Sequence, residues 1–140
     1  MIGWLEALKN RLEQERVVRL VANDAALTAE LLLLFRVILA DGEVEERELE
    51  AFRRVCRESF GIEPDAMDGV YRYLQDFAYE TSASQATSVF ADLPIERRQT
   101  LLDHMIEIAG ADRDIDPREE KFVKRVADML DFEIKSNEAG

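Results

Sequence analysis

The chain has 140 residues, room for one ordinary domain, and is 47% hydrophobic, enough to bury a core and too much for a disordered tail. Thirty acidic against eighteen basic residues set a net charge of −12, which argues against a nucleic-acid backbone or an anionic lipid as partner, since both need a basic face. A single cysteine and a single histidine exclude a disulfide framework, a cysteine zinc cage and a multi-histidine metal site, and the lone thiol fits a reducing compartment.

Helical periodicity runs through the chain, and the alternation expected of strands is nearly absent. Seven helices are predicted, at 3–21, 24–40, 45–60, 64–79, 83–91, 94–110 and 117–130. The first carries Trp4, Leu5, Leu8 and Leu12 in one stripe. Residues 1–22 hold four bases and three acids, a local charge of +1 that leaves −13 for the other 118 residues. Two readings compete for it: an in-plane membrane contact or docking helix for a partner, and simple packing on the rest of the protein, the commoner outcome. Residues 1–8 lack a basic leader and Glu6 interrupts their apolar run, so no secretory signal is expected.

The second helix begins at Asn23-Asp24 and contains the longest apolar stretch, 31–40, with Arg36 inside it. That is far short of the ~18 residues that suggest a membrane span. Apolar on more than one side, the helices at 24–40 and 94–110 are expected to lie centrally, with amphipathic helices around them. The third carries Leu49, Phe52, Cys56 and Phe60 on one face and stops at Gly61, a C-cap. Pro64 starts the fourth, with Met67, Val70, Tyr71, Leu74, Phe77 and Ala78 on its apolar face, and Ser82 with Gln85 starts the fifth. Asp116-Pro117-Arg118-Glu119 reads as a capping box with proline at the first helical position, and residues 133–140 carry no periodicity.

A displacement of 71 residues aligns the chain with itself without a gap. Leu31 meets Leu102, Ala40-Asp41 meets Ala111-Asp112, Arg47-Glu48 meets Arg118-Glu119, and Arg54-Val55 meets Arg125-Val126. Each unit is a buried helix, an acidic loop and an amphipathic helix. Two copies are too few for a solenoid, so an all-α, seven-helix bundle with an internal pseudo-twofold is predicted, one domain over 1–140. Its parts are the N-terminal helix (1–22), a first repeat half (24–62), middle helices (63–92), a second half (94–132) and a tail (133–140). The loops share the second half of an EF-hand's spacing, but the first ligand positions fall on Val37, Leu39, Ile108 and Gly110, which offer no side-chain oxygen.

The paired motifs Leu34-Phe35-Arg36-Val37-Ile38-Leu39-Ala40-Asp41-Gly42 and Leu102 through Asp112, each followed by an acidic loop and Glu48 or Glu119, resemble the tellurite-resistance TerB family over residues 24–132. A related domain opens DjlA-type co-chaperones, but no His-Pro-Asp tripeptide marks a J domain here. The resemblance implies an all-helical, pseudo-symmetric fold, a role in tellurite or stress resistance at the inner face of the bacterial membrane, and a divalent-cation site in the acidic cluster.

The residues support such a site independently. Asp41, Glu45 and Glu48 offer the oxygens that a Ca²⁺- or Mg²⁺-class cation requires, with Asp112, Asp116 and Glu119 as the counterpart set. Capping and solubility compete as roles for the same acids. Gly42 lets the first loop turn, whereas Arg113 stands at its equivalent, so the second half is expected to be self-neutralised and any cation to sit in the first. His104 and Cys56 stand without visible catalytic partners, and no phosphate loop is present, so no catalytic residues and no enzyme activity are expected. Two functions follow: a cytoplasmic acidic module, peripheral to the membrane at most, that binds a divalent cation weakly and a protein partner; or a purely structural interaction domain without a metal.

Overall fold

The computed structural model describes residues 3–40, 42, 44–111 and 116–132. Among them are seven α-helices and no strand: α1 (Gly3–Ala22), α2 (Ala25–Leu39), α3 (Glu46–Phe60), α4 (Met67–Glu80), α5 (Ala83–Ala91), α6 (Ile95–Ala109) and α7 (Pro117–Met129). The chain is thus an all-α bundle, with helix limits close to those read from periodicity.

Local chemistry explains most of the limits. Asp24 caps α2 by accepting from the Leu27 N–H at 3.0 Å. Gly61 ends α3 at φ +67°, with its own N–H on Arg57 O and the Ile62 N–H on Cys56 O, a left-handed stop that glycine adopts without steric cost. Pro64 opens a 3-10 turn, Pro64–Ala66, rather than the α-helix itself. The two side-chain caps expected at Ser82 and Asp116 differ in geometry. Ser82 and Gln85 form a full reciprocal capping box, at 3.0 and 2.8 Å. Asp116 instead bonds the N–H of Arg118, one residue short of the box geometry, while Glu119 is carried inside.

The central role belongs to α2, which packs on all six other α-helices. Ten of its fifteen residues are buried, from Thr28 through Phe35 with Val37 and Ile38. Its counterpart α6 was expected to be equally central, but it is one-sided. It buries Leu101, Leu102, Met105, Ile108 and Ala109 and leaves Ile95 and Ile106 exposed. The charged residues Glu96, Asp103 and Glu107 hold its outer face in water.

The repeat is visible in the packing. Each half joins its own helices, α2 to α3 and α6 to α7, and α2 touches α6. The cross contacts α2 to α7 and α3 to α6 exchange under the same twofold. Burial follows the register of 71 residues: Leu34 with Met105, Val37 with Ile108, Val55 with Val126, Cys56 with Ala127, and Glu48 with Glu119 are all buried pairs. Phe77, on the apolar face expected of the fourth helix, and Phe122 of α7 are only partly buried, at the margin of the core. An aromatic cluster of Phe35, Phe52 and Tyr71, with ring centroids 5.9–6.0 Å apart, joins α2, α3 and α4.

Helix α1 divides the two readings offered for it. Its C-terminal half packs: Val21 is buried, Val17 half-buried, and Val18 approaches Gly69 of α4 so closely that a Cβ there would lie 3.2 Å from Val18 Cγ2. Residues 3–13 are exposed, so simple packing on the bundle does not extend to the Trp4 stripe.

Candidate functional site

The loops joining α2 to α3 and α6 to α7 occupy equivalent places in the two halves. Asp41 and Asp112, with Glu43 and 113–115, lie outside the described residues. The remaining candidates are described: Glu48 and Glu119 are buried alike, whereas Glu45 and Asp116 are used differently.

In the first half Gly42 takes φ +82°, the left-handed conformation its position calls for, and a Cβ there would meet nothing within 4 Å. Glu45 is the N-cap residue of α3 in extended conformation, yet its side chain makes no capping hydrogen bond. Glu48, in the first turn, is fully buried. In the second half Asp116 is engaged twice. It accepts the Arg118 N–H at 2.7 Å, and its carboxylate faces the Arg118 guanidinium at 3.3 and 3.4 Å. Those bonds, side chain first, hold its carboxyl below the usual aspartate range. Glu119 is buried at the position equivalent to Glu48.

Arg113, on which the expected self-neutralisation of the second half rested, lies outside the described residues, as do Asp112 and Asp114; among the described residues Asp116 is paired with Arg118 instead. Among the described residues the acids do not converge: no group of three or more His, Cys, Asp or Glu side chains has metal-binding geometry. Helix α3 rests on α2 and α6, whereas α7 rests on α2, α5 and α6.

Sequence reading missed two features beside these loops. The first is an open groove of about 490 Å³ between the end of α2 and α7, lined by Arg36, Arg118, Lys121 and Arg125 over Leu39, Ala40 and Phe122. Four cations thus gather beside the acidic loops of a strongly acidic protein. Arg36 also donates to Thr81 O at 2.9 Å, tying α2 to the C-cap of α4.

The second is a buried polar cluster between α2 and α6. Glu30 is fully buried, with Oε1 against Arg97 Nη1 at 2.5 Å and Oε2 against His104 Nδ1 at 2.7 Å. His104 Nε2 lies 3.2 Å from Ser59 Oγ, and the ring meets Phe60 edge-on. The order carboxylate, imidazole, hydroxyl has the outline of an activated nucleophile. Its setting does not supply the rest. Ser59 lies in the last turn of α3, which presents carbonyls, and the nearby Gly61 and Ile62 N–H groups are committed to the C-cap. The cluster ties α2, α3 and α6 together.

At the repeat register Glu30 faces Leu101 and His104 faces Leu33, but Leu27 against Arg98 and Leu32 against Asp103 are mismatched in the same way, so the sequence alone did not single the pair out. Cys56 is the small core residue expected. Burial, followed by the nearby Glu30 charge, pushes its thiol up to about 12.

No helix among the described residues is long and apolar enough to cross a membrane. No curated protein and no solved structure gives a significant match. The family described as tellurite resistance protein TerB matches residues 23–139, which takes in both halves of the repeat and both acidic loops, and the chain belongs to that family.

Proposed function

We propose that this chain is a non-enzymatic TerB module whose first acidic loop takes a divalent cation of the Ca²⁺ or Mg²⁺ class, weakly, and presents the resulting state to a protein partner. The supporting observation is the asymmetry between the two loops. Glu45 makes no capping bond with its side chain and stands between the left-handed Gly42 and the buried Glu48, while Asp116 is committed to Arg118. A donor set of Asp41, Glu45 and Glu48 is all oxygen, as hard cations prefer, and three carboxylates without an EF-hand's first ligands suit weak binding. Asp116 and Glu119 then serve the second half as cap and internal anchor.

The module acts in the cytoplasm on this reading, with any membrane-associated partner met at the inner face. Titration calorimetry with Ca²⁺, Mg²⁺ and Mn²⁺ tests the site directly. Asp41→Ala and Glu45→Ala should abolish the binding heat, and Asp116→Ala should leave it in place. No heat at millimolar metal would leave the second reading, a structural interaction domain whose acids serve solubility and charge complementarity to a basic partner.

A further inference from the structure

Helix α1 is amphipathic in two directions. At about 100° per residue, Gln14, Val17 and Val21 fall on the side that meets the bundle, and Trp4, Leu5, Leu8 and Leu12 fall on the opposite side. Those four side chains are 65%, 51%, 46% and 58% exposed. Among the described residues no other helix leaves so many large apolar groups in water along one stripe. The half-helix that carries them, residues 3–13, is exposed all round and projects roughly 16 Å at 1.5 Å per residue. A helix of that length is marginal in water without a surface to pack its apolar face.

The charges are sorted around the same stripe. Lys9, Arg11, Arg16 and Arg19 lie within about 90° of its centre, together with the single acid Glu15, while Glu6 and Glu13 lie towards the far side. An apolar stripe with tryptophan at its tip and long cationic side chains along its edges is the form of a helix lying in a lipid interface, where lysine and arginine reach the phosphates. A second copy laid antiparallel on the stripe would bring like cations together along its edges, which disfavours self-association. The acidic body lies behind, on the side of the helix turned away from the stripe. Helix α1 also precedes the family match, which starts at residue 23.

We propose that the N-terminal half of α1 docks the protein on an anionic phospholipid surface, with Trp4, Leu5, Leu8 and Leu12 entering the interface and Lys9, Arg11, Arg16 and Arg19 meeting the headgroup phosphates. The contact is independent of the cation site.

Trp4 is the only tryptophan, so its emission reports the contact directly. The full chain is mixed, in EDTA, with vesicles of phosphatidylcholine alone or of phosphatidylcholine with phosphatidylglycerol. A blue shift and co-sedimentation with the anionic vesicles are expected, with much weaker binding to neutral ones and loss in high salt. Leu8→Glu should weaken partitioning at least about tenfold, and Lys9→Glu with Arg11→Glu should remove the preference for anionic lipid. Neither variant should change the melting temperature, because these side chains are exposed. No blue shift with anionic vesicles would overturn the proposal, as would equal binding to neutral ones. So would a blue shift that needs no lipid and grows with protein concentration, which would assign the stripe to a second copy.

Discussion

Removing the arginine that faces Glu30 should be among the most damaging single changes in the protein. In Arg97→Met the aliphatic stem is kept against Phe90, whose ring lies 5.4 Å from the native guanidinium carbon, and only the charge is lost. Glu30 is fully buried, so its Oε1 cannot turn to water for a replacement partner. With charge centres about 4 Å apart, the lost attraction is roughly 4 kcal/mol at an effective dielectric of about 20. That agrees with the 3–5 kcal/mol typical of a buried pair broken from one side, roughly. The expected loss of about 3 kcal/mol should lower the melting temperature by about 10 °C for a chain of this size. Urea unfolding followed by circular dichroism measures it. Glu30→Leu installs the residue that the repeat carries at Leu101, and combined with Arg97→Met it should recover most of the loss, because no uncompensated charge then remains inside. A cost below about 1 kcal/mol for Arg97→Met alone would refute the reasoning and show that His104 and relaxation suffice to hold the carboxylate.

Cys56 should resist thiol reagents in the native state and react only on unfolding, and labelling kinetics in low urea check this. Its folded pKa, pushed up to about 12, also carries a sign: above about pH 9 the unfolded thiol ionises while the folded one does not. Stability should therefore fall as pH rises from about 9 towards 12, by up to about 1.4 kcal/mol per unit from this group, a slope absent in Cys56→Ala. The lowered carboxyl of Asp116 works on the other limb: its contribution is present above the ordinary aspartate range and lost as pH falls through the folded value, so Asp116→Asn should flatten the acid limb of a melting-temperature profile. Ser82→Ala removes one arm of the only reciprocal capping box among the described helices and should cost about 1 kcal/mol in urea unfolding. Gly61→Ala forces a side chain onto φ +67° with open space around it, so the cost of about 1 kcal/mol is purely conformational, and Gly61→Asn should recover part of it.

Local and periodic information was sufficient for much of this protein. Stripes repeating at three and four residues, with Asp24, Gly61, Ser82 and Pro117 as punctuation, located seven helices because such signals act within a few residues of one another. The 71-residue self-similarity revealed the paired loops and their halves because equivalent positions in a pseudo-twofold bundle meet equivalent surroundings, as the buried pair Glu48 and Glu119 shows. Tertiary structure decided what depends on partners far apart in the chain. Glu30 looked like an ordinary helical acid until α6 brought Arg97 and His104 to it, the latter 74 residues away. The basic groove exists only because the end of α2 lies beside α7. Whether α1 packed along its whole length was equally invisible, since an apolar stripe has the same sequence whether it faces a core or water. Only the assembled bundle, by meeting Val17 and Val21 on the opposite side, left Trp4 to Leu12 uncovered.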